Sequence, residues 1–293
     1  MIDFRIQTFL AVCSCLNYTK AAKQLHITQP AVTQHIQYLE QYYNCQLFFH
    51  EGHHITLSPA GELLLHSANA YRNDDMFLKE KIEAQKSHAT TLKFGTTMTI
   101  GEFVIAKPLS HFIKSHPDAD IHMTIANTSE LLRQLGSGQI HFALVEGYYD
   151  SDAYASMPYS TENFIAVCSS SHPIALKHEP VSISDLLSER ILVREPGSGT
   201  REILERNLST HNIQIDQFKH VTEVSGMHTI ISLVEDNCGI TFLYQTAVTN
   251  ELANGTLVQI PLTDFAVTHD FTFLWNKDSI FQDEYIKICS QLG

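Results

Sequence analysis

Apolar residues recur at helical spacing through the first part of the chain and later give way to short apolar runs of strand length. Phe4 to Cys15 predicts a first helix with Phe9, Leu10 and Cys13 turned inward. Ala21, Ala22 and Leu25 repeat the spacing over about Thr19 to Leu25, and the two alanines permit a close helix crossing. Thr28 suits an N-cap, and Pro30 falls in the first turn, where a missing N–H costs nothing. Val32, Ile36 and Leu39 stand at i, i+4 and i+7 and predict one buried face on a third helix, from about Gln29 to Tyr42. Gln46 to Leu57 predicts a two-stranded wing turning at Gly52. Pro59 then opens a long helix to about Lys86. Along it Leu64, Ala68, Tyr71, Asp75, Leu78 and Ile82 alternate by four and three, the a/d spacing of a coiled-coil seam in which Asp75 fixes register.

From Leu92 the pattern changes. Leu92 to Thr96, Ile121 to Ala126, Phe142 to Glu146 and Ile165 to Ser169 read as strands separated by helical stretches. Ile191 to Arg194, His220 to Val224, Ile240 to Tyr244 and His269 to Trp275 continue the series, and a last helix runs to about Leu292. Strands alternating with helices imply parallel sheets with crossover helices. Two such lobes joined by two crossing segments make a hinged cleft. The expected class is therefore α plus α/β. Residues 1–58 form a winged helix-turn-helix, 59–88 a linker and dimerisation helix, and 89–293 a two-lobed domain. Lobe I takes about 89–163 and 268–293, and lobe II about 164–267.

The polar side of the third helix is chemically informative. Buried apolar residues leave Gln29, Thr33, Gln34 and Gln37 outside, and Thr28, Pro30 and His35 lie on the same short stretch. Gln bonds adenine bidentately, and Thr reaches a base or a phosphate. Any amphipathic helix has polar outer residues. It is the capped pair of short helices, with a polar first turn on the second, that points to a DNA major groove.

These residues also carry a family resemblance. Thr19 to Leu25 fits T-x-A-A-x-x-L, and Thr28 to Thr33 fits S/T-Q-P-A-V-S/T. Leu39-Glu40, Leu47-Phe48 and the Leu-Ser-Pro-Ala-Gly run from Leu57 to Gly61 follow. The chain resembles the LysR-type bacterial transcription regulators over its whole length, most specifically in residues 1–65. The resemblance implies promoter DNA as partner, a dimer or tetramer, and a periplasmic-binding-protein-like effector domain. It also exposes a departure. Wing positions corresponding to His50 and His53 are commonly Arg in that family, and Gln34 often is too. Arg holds phosphate with permanent charge, whereas imidazole, with an ordinary pKa of about 6.5, is mostly neutral at pH 7. Either DNA binding leans on avidity, or operator affinity rises as pH falls.

Charge has to be counted by domain. The 293-residue chain carries a net charge of −13, which is unusual for a DNA binder. Within residues 1–58, however, Arg5, Lys20 and Lys23 balance Asp3, Glu40 and Glu51, and five histidines are added. The acidity lies in the C-terminal part, and nonspecific DNA affinity is expected to be weak. No apolar run reaches membrane-spanning length, and Asp3 and Arg5 interrupt any secretory start, so a cytoplasmic protein with no membrane partner is expected. Six irregularly spaced cysteines suggest reduced thiols rather than a disulfide framework.

Two segments look like ligand turns. Gly95-Thr96-Thr97-Met98-Thr99-Ile100-Gly101 and Glu195-Pro196-Gly197-Ser198-Gly199-Thr200-Arg201 each follow a strand and enter a helix, one per lobe. Ligands in open α/β sheets bind beyond the carboxyl ends of strands, and helix N-termini favour anions. Any α/β protein has capped helix starts, so one such turn says little. Two facing turns predict a small anionic effector held by Thr96, Thr97, Thr99, Asn127, Gly197, Ser198, Gly199, Thr200 and Arg201. Glu146 belongs to the same expected effector site: it opposes an anion unless it pairs with a cation such as Arg201 or Arg194, and it is expected there as a salt-bridge or dipole-orienting partner rather than a direct anion contact. The Arg-Glu-Pro-Gly-Ser-Gly-Thr-Arg, Thr-Thr-x-Thr-Ile-Gly-Glu and Val-Glu-Gly runs resemble the sulfur-metabolism branch of the family. That implies sulfite or a related oxyanion, although phosphate, nitrate or a small carboxylate would use the same donors.

His50-Glu51-Gly52-His53-His54 spells the zinc-protease string H-E-x-x-H. That chemistry needs both imidazoles on one helix face, whereas Gly52 and the β-prone Ile55-Thr56-Leu57 predict a turn. No metal and no cofactor is expected. A cytoplasmic solute-binding protein or an enzyme built on the same lobes is the alternative; the helix-turn-helix and the lack of a coherent catalytic set argue against each.

Overall fold

In this computed structural model the structure describes residues 3–51, 54–87, 90–177 and 179–293. Gly52 and His53, the expected wing turn and one expected DNA contact, lie outside the described residues, as do His88 and Ala89 at the expected linker boundary.

The N-terminal unit is three helices and a wing. α1 (Phe4–Cys15), α2 (Tyr18–Gln24) and α3 (Gln29–Tyr43) pack through Phe9, Val12, Ala21, Ala22, Val32, Ile36 and Leu39, all buried. Each start is capped by a side-chain oxygen: Asp3 accepts from Arg5 N, Asn17 from Lys20 N, and Thr28 from Ala31 N. Such caps satisfy amide groups that have no partner within the helix. β1 (Phe48–Glu51) and β2 (His54–Leu57) pair antiparallel, with Phe48 opposite Leu57, and Leu47 and Phe48 close the core.

α4 (Pro59–Ser87) is the long linker. Its first turns belong to the N-terminal unit: Ala68 is buried in that core and Leu64 packs against it. The expected seam is corrected accordingly. Leu64 and Ala68 are used within the chain, while Tyr71, Leu78 and Ile82 remain exposed at 55%, 43% and 48%. The opposite face is seated on the C-terminal domain. Asp74 accepts from Ser279 Oγ and from Ile280 N, Phe77 is packed among His141, Phe281 and Tyr285, and Lys81 pairs with Glu284. No described helix is long and apolar enough to cross a membrane.

The remaining elements are β3 (Thr90–Thr96), α5 (Ala106–Ser115), β4 (Ala119–Ile125), α6 (Thr128–Ser137), β5 (Phe142–Val145), β6 (Tyr154–Ser169), α7 (Pro173–Lys177) and β7 (Arg190–Val193). They continue with α8 (Gly199–Thr210), β8 (His220–Glu223), α9 (Met227–Glu235), β9 (Ile240–Tyr244), α10 (Thr249–Asn254), β10 (Leu257–Gln259), β11 (Val267–Asn276) and α11 (Gln282–Leu292). Among the described residues they form one sheet in the order β4-β3-β5-β11-β6-β9-β7-β8, with β10 on β6. β3, β4 and β5 pair parallel in lobe I, and β7, β8 and β9 in lobe II. Crossover helices cover the apolar faces, as parallel pairing requires.

β6 and β11 run antiparallel through both lobes and join them, from Val267 opposite Phe164 to Asn276 opposite Tyr154. The register shifts between Phe271 and Thr272, so that Ser160 and Pro158 face consecutive residues and Tyr159 is the extra one. A bulge accommodates proline, which cannot donate to a ladder.

Candidate functional site

Two regions could carry function: the outer face of α3 with the wing, and the junction between the lobes.

On α3, burial of Val32, Ile36 and Leu39 turns Gln29, Pro30, Gln34 and Gln37 to solvent, with Thr28 exposed at the cap. Gln29 Nε2 donates to Thr33 Oγ1 at 2.9 Å, and Thr33 Oγ1 donates back to Gln29 O, so these two side chains hold each other. Gln34 is exposed. His35 departs from expectation. Its Nδ1 lies 2.9 Å from Thr8 Oγ1, and its ring packs edge-on against Phe4. The Thr8 hydroxyl donates to Phe4 O, which leaves its lone pairs for a His35 Nδ1–H. His35 therefore ties α3 to α1 through its Nδ1. His50 is exposed on β1 with its ring beside Tyr18. His50 and Glu51 end one strand and His54 opens the next, so the H-E-x-x-H string is not helical.

At the lobe junction three polypeptide turns meet. The end of β3 and the turn after it supply Thr96, Thr97 and Thr99; the residues after β5 supply Glu146 and Gly147; the turn after β7 and the start of α8 supply Arg194, Ser198, Gly199 and Thr200. Glu146 is 1% exposed, and its Oε1 accepts the Thr200 hydroxyl at 2.8 Å. The Thr99 hydroxyl stands beside both, 3.5 Å from Thr200 Oγ1 and within hydrogen-bonding reach of the carboxyl. Burial raises the Glu146 pKa above the ordinary carboxylate value, against the opposing pull of Thr99, Thr200 and the Arg194 charge. The lobes approach closely here because Gly199 leaves room: a methyl on it would lie 2.9 Å from Glu146 Cγ, while one on Gly147 would lie 2.5 Å from Thr128 Oγ1 within lobe I.

Several polar atoms in this junction are buried without a partner: the hydroxyls of Thr96, Thr97, Thr128 and Ser198, Glu146 Oε2 and Arg194 Nη1. Such a concentration is uncommon, because a buried polar atom left alone costs about 1–3 kcal/mol. Asn127 takes a capping role instead, accepting from Glu130 N at the start of α6. Gly197, at φ +86°, makes the turn into α8 and is exposed.

The sequence expectation for Arg201 is corrected. Its Nε donates to Glu205 at 2.8 Å, and its Nη1 donates to Glu223 at 2.6 Å and to Arg194 O. Two carboxylates satisfy it on the lobe II surface, and it does not pair with Glu146. Arg194 is the buried cation near Glu146, itself held in a bidentate pair by Glu195 at 2.9 Å. Sequence reasoning missed Tyr244. Its buried phenol ends β9 and donates to Glu146 O at 3.3 Å; burial, with the Glu146 charge adding, pushes its pKa well up. Its place at the end of an apolar strand was the available signal. All six cysteines are free thiols, and burial pushes Cys13 up to about 12 and Cys168 up to about 11, which makes both poor nucleophiles.

Comparison with known proteins accords with this division. Residues 5–62 match the bacterial regulatory helix-turn-helix protein family of lysR type, and residues 85–281 match the LysR substrate binding domain. The HTH-type transcriptional regulator CysL of Bacillus subtilis is 28% identical over 274 residues, spanning 92% of this chain and 89% of the relative. OxyR of Corynebacterium glutamicum, solved as a mutant with hydrogen peroxide bound, shares the fold with a TM-score of 0.63 at 23% identity, covering 99% of this chain and 90% of that one. Full-length LysG of the same organism, with its effector arginine bound, gives a TM-score of 0.64 at 15% identity, covering 100% and 96%. With both parts matched in order along the chain, the protein belongs to the LysR family of transcription regulators and is not an enzyme.

Proposed function

We propose that the protein is a cytoplasmic dimeric or tetrameric regulator that reads a two-fold promoter site and answers to a small oxyanion at the lobe junction. The observation that carries the effector reading is the set of buried, unpartnered donors around Glu146: the hydroxyls of Thr97, Thr128 and Ser198 and the Nη1 of Arg194. Sulfite is the leading candidate, because the sequence resembles the sulfur-linked branch and CysL is among the relatives.

Thr28, Gln29, Pro30, Thr33 and Gln34 are the proposed base and phosphate contacts, with His50 on the wing reaching the backbone. His53 is proposed on sequence alone. The exposed face of α4 around Tyr71, Leu78 and Ile82 supports self-association. A dimer sets two α3 helices about one helical turn of DNA apart. Because α4 is seated on lobe I, a ligand that changes the angle of lobe II alters how partner chains meet. It can do so only by binding one arrangement better than the other.

The test is a thermal-shift titration of the full chain with sulfite, sulfate and phosphate, beside Thr97→Ala and Ser198→Ala. A saturable rise that both variants lose supports the site. A flat response to every oxyanion, with a shift from an organic ligand instead, sinks the oxyanion reading and leaves the regulator intact.

A further inference from the structure

Among the described residues, Glu146 is the one carboxylate fully buried at the lobe junction, and it stands in a ring of groups that can donate. Thr99 faces it from the turn after β3, Thr200 from α8 and Arg194 from the end of β7, while the Tyr244 phenol from β9 donates to its backbone carbonyl. Oε1 accepts from the Thr200 hydroxyl, the Thr99 hydroxyl and the Thr200 N–H lie beside the carboxyl, and Oε2 is buried with no hydrogen bond of its own. Above its raised folded pKa the Glu146 carboxylate can only accept a hydrogen bond, a guanidinium can only donate, and a hydroxyl can do either.

That combination discriminates between anions of similar size. An oxyanion without a proton presents only lone pairs to Oε2, and two like charges at contact disfavour each other. An oxyanion that carries a hydroxyl gives Oε2 the proton it lacks, in a charge-assisted hydrogen bond, while its remaining oxygens accept from Thr97, Ser198 and Arg194. Resting on the oxyanion reading above, we infer that Glu146 is a specificity residue selecting oxyanions that keep a proton near neutral pH, such as hydrogen phosphate, hydrogen sulfite or hydrogen carbonate. Sulfate and nitrate are rejected, as they keep none. Complex formation places one proton between Oε2 and a ligand oxygen. No covalent bond forms or breaks.

The experiment is calorimetric titration of the full chain with inorganic phosphate and with sulfate, at mildly alkaline pH and constant ionic strength. Glu146→Gln is titrated beside it, since the amide puts an N–H donor in place of an oxygen of the same size. Thr200→Val serves as the control, and melting curves confirm that each variant folds. The wild type is expected to prefer phosphate over sulfate by about tenfold or more, and Glu146→Gln to reverse that order, one charge-assisted bond being worth at least that factor. Thr200→Val should weaken both ligands alike and leave their ratio unchanged. Equal binding of the two anions by the wild type, or a phosphate preference that survives in Glu146→Gln, overturns the inference and leaves the oxyanion reading standing. Silence from every protein with either anion, and from the wild type with sulfite under the same conditions, removes both.

Discussion

Glu80 on the linker helix accepts a hydrogen bond at 2.8 Å from the Nε2 of His141, an imidazole of lobe I that is 1% exposed. Lys93 N donates to the other ring nitrogen, which assigns the ring proton to Nε2. Lys93 Nζ also reaches Glu80, at 2.6 Å. Removing the carboxylate in Glu80→Ala leaves a buried N–H unpaired, and a loss of about 1–3 kcal/mol is expected in urea unfolding at neutral pH.

The pH dependence of that loss has a definite sign. Burial raises the Glu80 carboxyl, but the hydrogen bonds from His141 and Lys93 outweigh it, and its pKa is lowered below 4.5. A depressed carboxylate stabilises fully above its unfolded pKa and loses that contribution as pH falls through the folded value. The gap between wild type and Glu80→Ala should therefore narrow on acidification below the ordinary carboxylate range. A gap of constant size would mean that the seat is held by packing alone.

Glu146 behaves in the opposite sense. Its folded pKa is raised, so the contribution present at acid pH is lost as pH rises through the window from 4.5 to the higher folded value. Glu146→Gln should then melt above the wild type at pH 8 and converge with it at acid pH. Each kcal/mol regained appears as about 2–4 °C. Equal melting points across the range would show the carboxyl to be solvated.

Arg201→Ala tests the corrected assignment. Its carboxylate partners are about half exposed, 49% for Glu205 and 51% for Glu223. Exposed ion pairs contribute about 0–1 kcal/mol, so a small stability change with no change in effector response is expected. Arg194→Ala, by contrast, strips a cation that is 3% exposed and should abolish the response. Loss of effector binding in Arg201→Ala would restore it to the site.

On the DNA side, Gln34→Ala should cost about 1–3 kcal/mol at one base position and relax selectivity there. His50→Arg should tighten operator and random DNA alike and steepen the salt dependence by about one phosphate contact. His35→Ala should lower the melting point instead, because it cuts the tie to Thr8. Binding curves on operator and scrambled duplexes separate the three.

Leu78→Asp on the exposed α4 face should shift the chain toward monomer in sedimentation and weaken operator binding, since buried charge opposes a helical seam. A monomer-free profile identical to wild type would place the interface elsewhere.

The helix-turn-helix was legible because cap, period and polar face agree at every level from Thr28 to Leu39. The first half of β6 was not: Tyr154 to Asn163 is polar, half-exposed and broken by Pro158, and its partner strand lies more than a hundred residues on. Period alone also overextended the α4 seam, since Leu64 and Ala68 satisfy the same spacing by facing their own core. Arg201 misled for a similar reason. Its position at a helix start suits an anion, but Glu205 sits one turn along the same helix and Glu223 ends the neighbouring strand. A one-dimensional reading sees neither neighbour's geometry.

The bond from Asp74 to Ser279 spans 205 positions. A ribosome releases the helix-turn-helix and α4 early, and the core that holds them closes within residues 9–68. The surface on which α4 rests is finished only when β11 and α11 emerge, long after α4 itself. A nascent or prematurely terminated chain thus carries a DNA reader with no effector domain attached to its linker. Dominant interference by such fragments is the genetic signature this connectivity predicts, and it should vanish when α3 is disrupted in the same fragment.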